Sequence, residues 1–184
     1  MNIDVHPVTP QDWTDLASVF GTRGDASWCF CQFFVDPQWN RGRDANRAAL
    51  RSQIETSEIP IGLIAYAEGA PVGWVQVGPR TRYPRLDKKH TATASQWYLT
   101  CFVVPPQHRR RGVSTALLRA AIDHARDHGA DILEARPTDT NAATATKKAA
   151  SDLFTGVLSM FLEAGFVEIS RNRSRVLVHL DLHP

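Results

Sequence analysis

The run FVVPPQHRRRGVSTALL, residues 102–118, constrains the chain more than any other stretch. Together with QWYLTC just before it, its first residues are β-branched and aromatic, so residues 96–104 read as a strand. Pro105 and Pro106 stop that strand, because proline has no N–H to give to a ladder. From Val113 the apolar period changes. Val113, Ala116, Leu117, Ala120, Ala121 and Ala125 trace one helical stripe, and Gly129 stands where such a helix ends. A strand feeding a helix through a basic, glycine-bearing turn implies a sheet with helices packed on it.

The remaining elements agree with that class. Residues 2–8 read as a strand. Residues 10–20 read as a helix opened by Thr9 or Pro10, with Trp13, Leu16, Ala17 and Phe20 at helical spacing. Residues 44–57 read as a more polar helix that begins at Asp44, and Pro60 ends it. IGLIAYA (61–67), the turn EGA (68–70) and PVGWVQVG (71–78) form a hairpin pattern. DILEARP (131–137) reads as a strand and 138–150 as a polar, alanine-rich loop. Residues 151–165 read as a helix between Ser151 and Gly165. FVEIS (166–170) and RVLVHLDL (175–182) read as a closing hairpin. The order β-α-α-β-β-β-α-β-α-β-β describes an α/β mixed sheet flanked by helices. No repeat or low-complexity tract interrupts it, and 184 residues suit one domain with a real core.

The net charge of +2 argues against a broadly cationic, nucleic-acid-binding chain. The charge is nonetheless uneven. From Arg80 to Arg111 there are eight Lys/Arg (Arg80, Arg82, Arg85, Lys88, Lys89, Arg109, Arg110 and Arg111) against one acid, Asp87. Three cysteines, Cys29, Cys31 and Cys101, are an odd number without framework spacing, which favours a reducing, cytoplasmic setting. MNIDVHPVTP lacks the pattern of a secretory signal, and no apolar run approaches the ~20 residues of a membrane helix.

A helix N-terminus presents unpaired N–H groups and the positive end of a dipole, so it binds phosphate. Gly112 permits close backbone approach, Arg109, Arg110 and Arg111 add charge, and Ser114 and Thr115 add hydroxyls. Basic residues at this end oppose the dipole, and a bound diphosphate accounts for them; the alternative is a basic first turn facing water. The turn lacks the Gly-Lys-Ser/Thr of a Walker loop. It is not the dinucleotide GxGxxG either, since Ser114 stands at the second glycine position.

The run Arg109-x-x-Gly112-x-Ser114, after a strand and before a leucine/alanine helix, resembles the acetyl-CoA motif of the GNAT N-acetyltransferases. FLEAGFVEI (161–169) resembles the family's later helix, which ends in Gly-Phe before a strand. PIGLIAYAEGAPVGWVQVGPR (60–80) resembles its central hairpin. WCFC (28–31) with LTCFVV (99–104) resembles a bacterial branch of the family. The resemblance implies one domain over 1–184: an acceptor-side region at 1–59, the hairpin and acetyl-CoA motif at 60–137, and a C-terminal helix and strands at 138–184. It implies a β-bulge near Phe102–Val104, with the backbone of Phe102, Val103 and Val104 pairing to the pantetheine arm. It also implies that the amides of residues 110–115, Val113 included, hold the pyrophosphate, and that strands 96–104 and 131–136 part to leave a cleft. The segment 80–89 would meet the adenosine 3′-phosphate or be a solvated basic loop.

The implied reaction is direct transfer of acetyl from acetyl-CoA to an amine of a small molecule or peptide, by a monomer or homodimer without metal, nucleic acid or membrane. Two positions depart from the family pattern. Phe161 stands where a tyrosine often protonates the thiolate, and Phe154 stands where an asparagine is common. A protein that binds or senses acyl-CoA without catalysis is the alternative. For the base, Glu134 is the candidate, in mid-strand where a carboxylate is unusual; an ion pair with a nearby arginine would equally explain it. Cys101 and Tyr98 border the cleft and read mainly as packing residues. Cys29 and Cys31 lack a second ligand pair for zinc, and His124 and His128 read as solvated helix-face residues.

Overall fold

The structure, a computed structural model, describes residues 2–86, 95–141 and 153–183. Seven strands form one sheet: β1 (Ile3–Pro7), β2 (Gly62–Ala67), β3 (Ala70–Pro79), β4 (Gln96–Val103), β5 (Ile132–Ala135), β6 (Val167–Asn172) and β7 (Arg175–Asp181). Their order is β1-β2-β3-β4-β5-β7-β6. Every pairing is antiparallel except β4 with β5. That parallel step needs a crossover, which is supplied by a helix, α4 (Val113–Asp127). The other helices are α1 (Trp13–Phe20), α2 (Asp25–Cys29), α3 (Arg43–Thr56) and α5 (Leu158–Glu163). No described helix is long and apolar enough to cross a membrane.

Local chemistry sets the elements. The turn between β2 and β3 is Glu68–Gly69, both at positive φ (52° and 78°), the backbone twist that a two-residue hairpin favours. Thr9 opens the first helical turn as half of a capping box. Its N–H and its hydroxyl both donate to Asp12 Oδ2 at 2.8 Å.

The two sheet faces bury separate cores. On one, Val113, Leu117, Leu118, Ala121 and Ala125 of α4 and Leu158 and Phe161 of α5 cover Val75, Val77, Trp97, Leu99 and Leu133. Gly73 lets α4 ride close on β3, since a Cβ there would lie 2.6 Å from Val113 Cγ1. On the other face Leu16, Val19 and Phe20 of α1, Leu50 and Ile54 of α3, and Phe30 pack on Ile64, Trp74 and Val103. Each fully buried leucine or phenylalanine contributes ~1.5–3 kcal/mol of transfer free energy.

Three expectations change. The helix read over 151–165 is confined to Leu158–Glu163. Ser151 lies outside the described residues, Gly156 is at φ +85° and Val157 is extended, so the helix does not run back through these two residues. It instead ties to the sheet: Thr138 N–H donates to Gly156 O and Leu158 N–H to Thr138 O, each at 2.9 Å. Second, His124 is buried rather than solvated. Its Nε2 is 3.0 Å from Pro60 O, its ring packs on Trp97, and burial pushes its pKa below the usual value. His128 is exposed, as expected. Third, Arg80 belongs to no solvated loop, for it is buried. Lys88 and Lys89 lie outside the described residues.

Candidate active site

The sheet opens between β4 and β5. β4 pairs with β5 only from Gln96 opposite Ile132 to Leu99 opposite Ala135, while β4 runs on to Val103. The strands therefore part after Leu99, leaving a cleft whose closed end is Thr100. A β-bulge sits there. Gln76 pairs with Cys101 and Val77 with Leu99, so Thr100 is the extra residue. The bulge falls ahead of the Phe102–Val104 position expected for it. Thr100 fixes it by donating its hydroxyl to Gln76 Oε1 at 2.8 Å on the neighbouring strand. Bulges bend a strand and re-aim its side chains, and they are frequent beside active sites.

Farther along the cleft the chain crosses back. Phe102 N–H donates to Phe154 O at 2.6 Å on one side, and Thr138 holds Gly156 and Leu158 on the other. A Cβ on Gly156 would lie 2.7 Å from the Phe161 ring, so this crossing requires glycine. The Phe102 amide, expected to meet pantetheine, is engaged by Phe154 here. The Val104 carbonyl accepts Arg109 Nε–H at 3.0 Å, which ties the basic turn to the end of β4.

Beyond the cleft, the turn leads into α4. Arg110 (φ 57°) and Gly112 (φ 82°) are left-handed. A Cβ on Gly112 would meet nothing within 4 Å, so glycine serves the backbone conformation there. The Gly112 carbonyl accepts Ala116 N–H at 3.0 Å, closing the first turn. The amides of Val113, Ser114 and Thr115 come before the first helical acceptor and are left to bind something else. Val113 has its side chain in the core, while Arg109, Arg110, Arg111 and Thr115 are exposed. Among the described residues none of these three arginines forms an ion pair. Amides at a helix start beside three exposed guanidiniums are the chemistry that binds anions.

Glu134 lies on β5 opposite Tyr98, buried, with Oε2 at 2.8 Å from Arg80 Nη1. Of the two readings available for this carboxylate, the ion pair is present. Arg80 also lies over the Tyr98 ring, 5.7 Å from its centroid. Phe161 is fully buried and edge-on to Phe166 and Phe102, so no proton comes from its position. Phe154 packs against Phe33 and Phe34, with the Arg175 guanidinium over its ring.

The acceptor-side face of the bulge is polar. Phe30 and Cys31, at φ 44° and 56°, turn the chain under β3 and β4. There the Cys31 thiol meets Cys101 and the Trp74 indole. Burial pushes the Cys31 thiol well up and that of Cys29 to about 11. Gln76 and Tyr83 join Thr100 there, and burial raises the Tyr83 phenol. Sequence reasoning missed Gln76, Tyr83 and Thr100, and expected an arginine partner for Glu134 without identifying it as Arg80. A glutamine inside the apolar run WVQV was a signal for the first; the other two had none. Among the described residues no group of three His, Cys, Asp or Glu is arranged to hold a metal ion.

Comparison with known proteins agrees with this geometry. No curated protein matches the sequence. Among solved structures the chain is similar to an N-acetyltransferase from Staphylococcus aureus Mu50 (TM-score 0.61, 13% identity, 100% of both chains covered). It is also similar to yncA from Salmonella typhimurium, a putative acetyltransferase with its cofactor acetyl-CoA (TM-score 0.60, 15% identity, 98% of this chain and 94% of that one). A third is the PaiA N-acetyltransferase from Thermoplasma acidophilum in complex with coenzyme A (TM-score 0.52, 12% identity, 98% and 99%). At these identities the likeness establishes the fold. The acetyltransferase (GNAT) family profile matches residues 25–146, most of the chain and all of the cleft's β4 side, and the chain therefore belongs to the GNAT acetyltransferase family.

Proposed function

We propose that the protein transfers an acetyl group from acetyl-CoA to an amine of a small molecule or peptide by direct attack in a ternary complex. The observation that carries this reading is the continuity of the parted β4–β5 cleft with the left-handed Arg110–Gly112 turn and the free amides of α4. A diphosphate fits Arg110, Arg111, Gly112, Val113, Ser114 and Thr115, while the pantetheine arm runs along Phe102, Val103 and Val104 toward Thr100. Seating that arm on the Phe102 amide requires Phe154 to give up its hydrogen bond. Acceptor binding falls to the face built by residues 27–35.

A neutral amine nitrogen attacks the thioester carbonyl carbon, and the C–S bond breaks as the C=O re-forms. The thiolate leaves with the bonding pair and the amine proton ends on CoA. A thiol of pKa ~8.5 leaves as thiolate without obligatory help, which suits a site with Phe161 at the usual acid position. Glu134 and Arg80 act as a positioning pair that holds β5 and Tyr98 beside the closed end of the cleft. The test is thiol release from acetyl-CoA across a panel of amines, which should exceed hydrolysis for at least one class. Binding without turnover on any amine would leave only the acyl-CoA-sensing alternative.

A further inference from the structure

Native proteins satisfy nearly all buried polar groups, so an orphaned donor calls for an explanation. Two stand at the closed end of the cleft. Gln76 is fully buried. Its Oε1 accepts from Thr100, but its Nε2 has no hydrogen-bond partner among the described residues. Tyr83 is 2% exposed, and its hydroxyl lies beside Thr100 without a hydrogen bond of normal geometry. That hydroxyl packs against β3, where a Cβ on Gly78 would sit 3.4 Å from it, at ordinary contact distance. Both side chains thus meet the residue where β4 leaves β5, Gln76 through its amide oxygen and Tyr83 through its hydroxyl. They arrive from β3 and from the segment after it, so the sheet itself fixes them. No acid stands among them, so what they await is an oxygen that accepts.

We infer that Gln76 Nε2–H and Tyr83 O–H are the side-chain donors to the acetyl carbonyl oxygen. On amine attack the carbonyl π pair moves onto that oxygen, where the two donors hold it as an oxyanion. The pair returns when the C–S bond breaks, so neither residue gains or loses a proton. Fixed donors in a buried site stabilise such an oxygen more than water can, because they need no reorganisation. Their cost is borne by the free protein as two unmet hydrogen bonds. Removing the Tyr83 hydroxyl therefore leaves stability unchanged or improved, whereas removing the Gln76 amide also takes away the oxygen that accepts from Thr100.

This assignment rests on acetyl-CoA occupying the cleft, and its test needs no acceptor. Acetyl-CoA labelled with ¹³C at the acetyl carbonyl is bound to the protein, and the carbonyl stretch is read by difference infrared spectroscopy. Binding is checked by calorimetry and stability by thermal melting. The bound carbonyl should absorb at lower wavenumber than the free one. Gln76→Met and Tyr83→Phe should each bind acetyl-CoA and lose part of that shift; Tyr83→Phe should melt at or above the wild-type temperature, while Gln76→Met also strips Thr100 of its acceptor and should melt lower. A bound wild-type carbonyl with no shift, or a full shift in both variants, overturns the inference and leaves the transfer reading standing. Marked destabilisation of Tyr83→Phe also overturns it, because the hydroxyl would then have a structural partner. Failure of the wild type to bind acetyl-CoA at all removes the proposed function, and this inference with it.

Discussion

Replacing Glu134 by glutamine separates two roles for one carboxylate. Glu134 and Arg80 are 7% and 6% exposed and 2.8 Å apart. Breaking a buried pair by removing one of its charges costs ~3–5 kcal/mol. The glutamine amide oxygen can still accept from Arg80, so the low end, about 3 kcal/mol, is expected. In a domain of this size each kcal/mol moves the midpoint about 2–4 °C, so the melting temperature should fall by roughly 6–12 °C. The double replacement Arg80→Met with Glu134→Leu should recover most of that loss, because an apolar pair in the same space carries no desolvation penalty. Urea and thermal unfolding of the wild type, both single variants and the double variant give the coupling directly. Removal of a general base would cost about 10²–10⁴ in turnover. If Glu134→Gln keeps its stability and loses turnover on that scale, the carboxylate takes the amine proton and the positioning role is refuted.

Other predictions concern separate parts of the molecule. Gly112→Val places a branched side chain at φ 82°, which costs about 1–2 kcal/mol of conformational strain. By distorting the anion site it should weaken CoA binding at least about tenfold in calorimetry. Gly156→Ala puts a Cβ 2.7 Å from the Phe161 ring and should lower stability by about 1–3 kcal/mol in urea unfolding. His124 is held below its usual pKa of 6.5 by burial, so the unfolded chain binds the proton first. Stability should accordingly decline as pH falls from 6.5 toward the lower folded value, and His124→Gln should flatten that decline in thermal melts at stepped pH. Cys29, pushed up to about 11, and Cys31 should react slowly with iodoacetamide at neutral pH, as peptide mass spectrometry would show.

The legible parts of this protein are those governed by local chemistry. The double proline, Gly112 and the alanine-leucine stripe mark the end of β4 and the length of α4 in the sequence, because turn residues and helical period act over a few neighbours. The sheet strands were readable for the same reason. Tertiary overrides were not. Residues 158–163 form a helix but the preceding turn does not, since Gly156 and Thr138 find better partners across the sheet than along the chain. His124 looks like a surface residue by helical spacing and is buried because Pro60 and Trp97 meet it from other elements. Arg80 reads as part of a basic run, yet its partner lies fifty-four positions away on β5. The bulge at Thr100 depends on one side-chain bond between strands, and no pattern within either strand announces it.

On the proposed function, the turn at Arg109–Gly112 and the start of α4 hold the pyrophosphate of acetyl-CoA. Isothermal titration of acetyl-CoA into the wild type and into Gly112→Val tests it most directly. Micromolar binding by the wild type, sharply weakened in the variant while the fold persists by circular dichroism, is the predicted result. Absence of binding by the wild type, or equal binding by both, would contradict it.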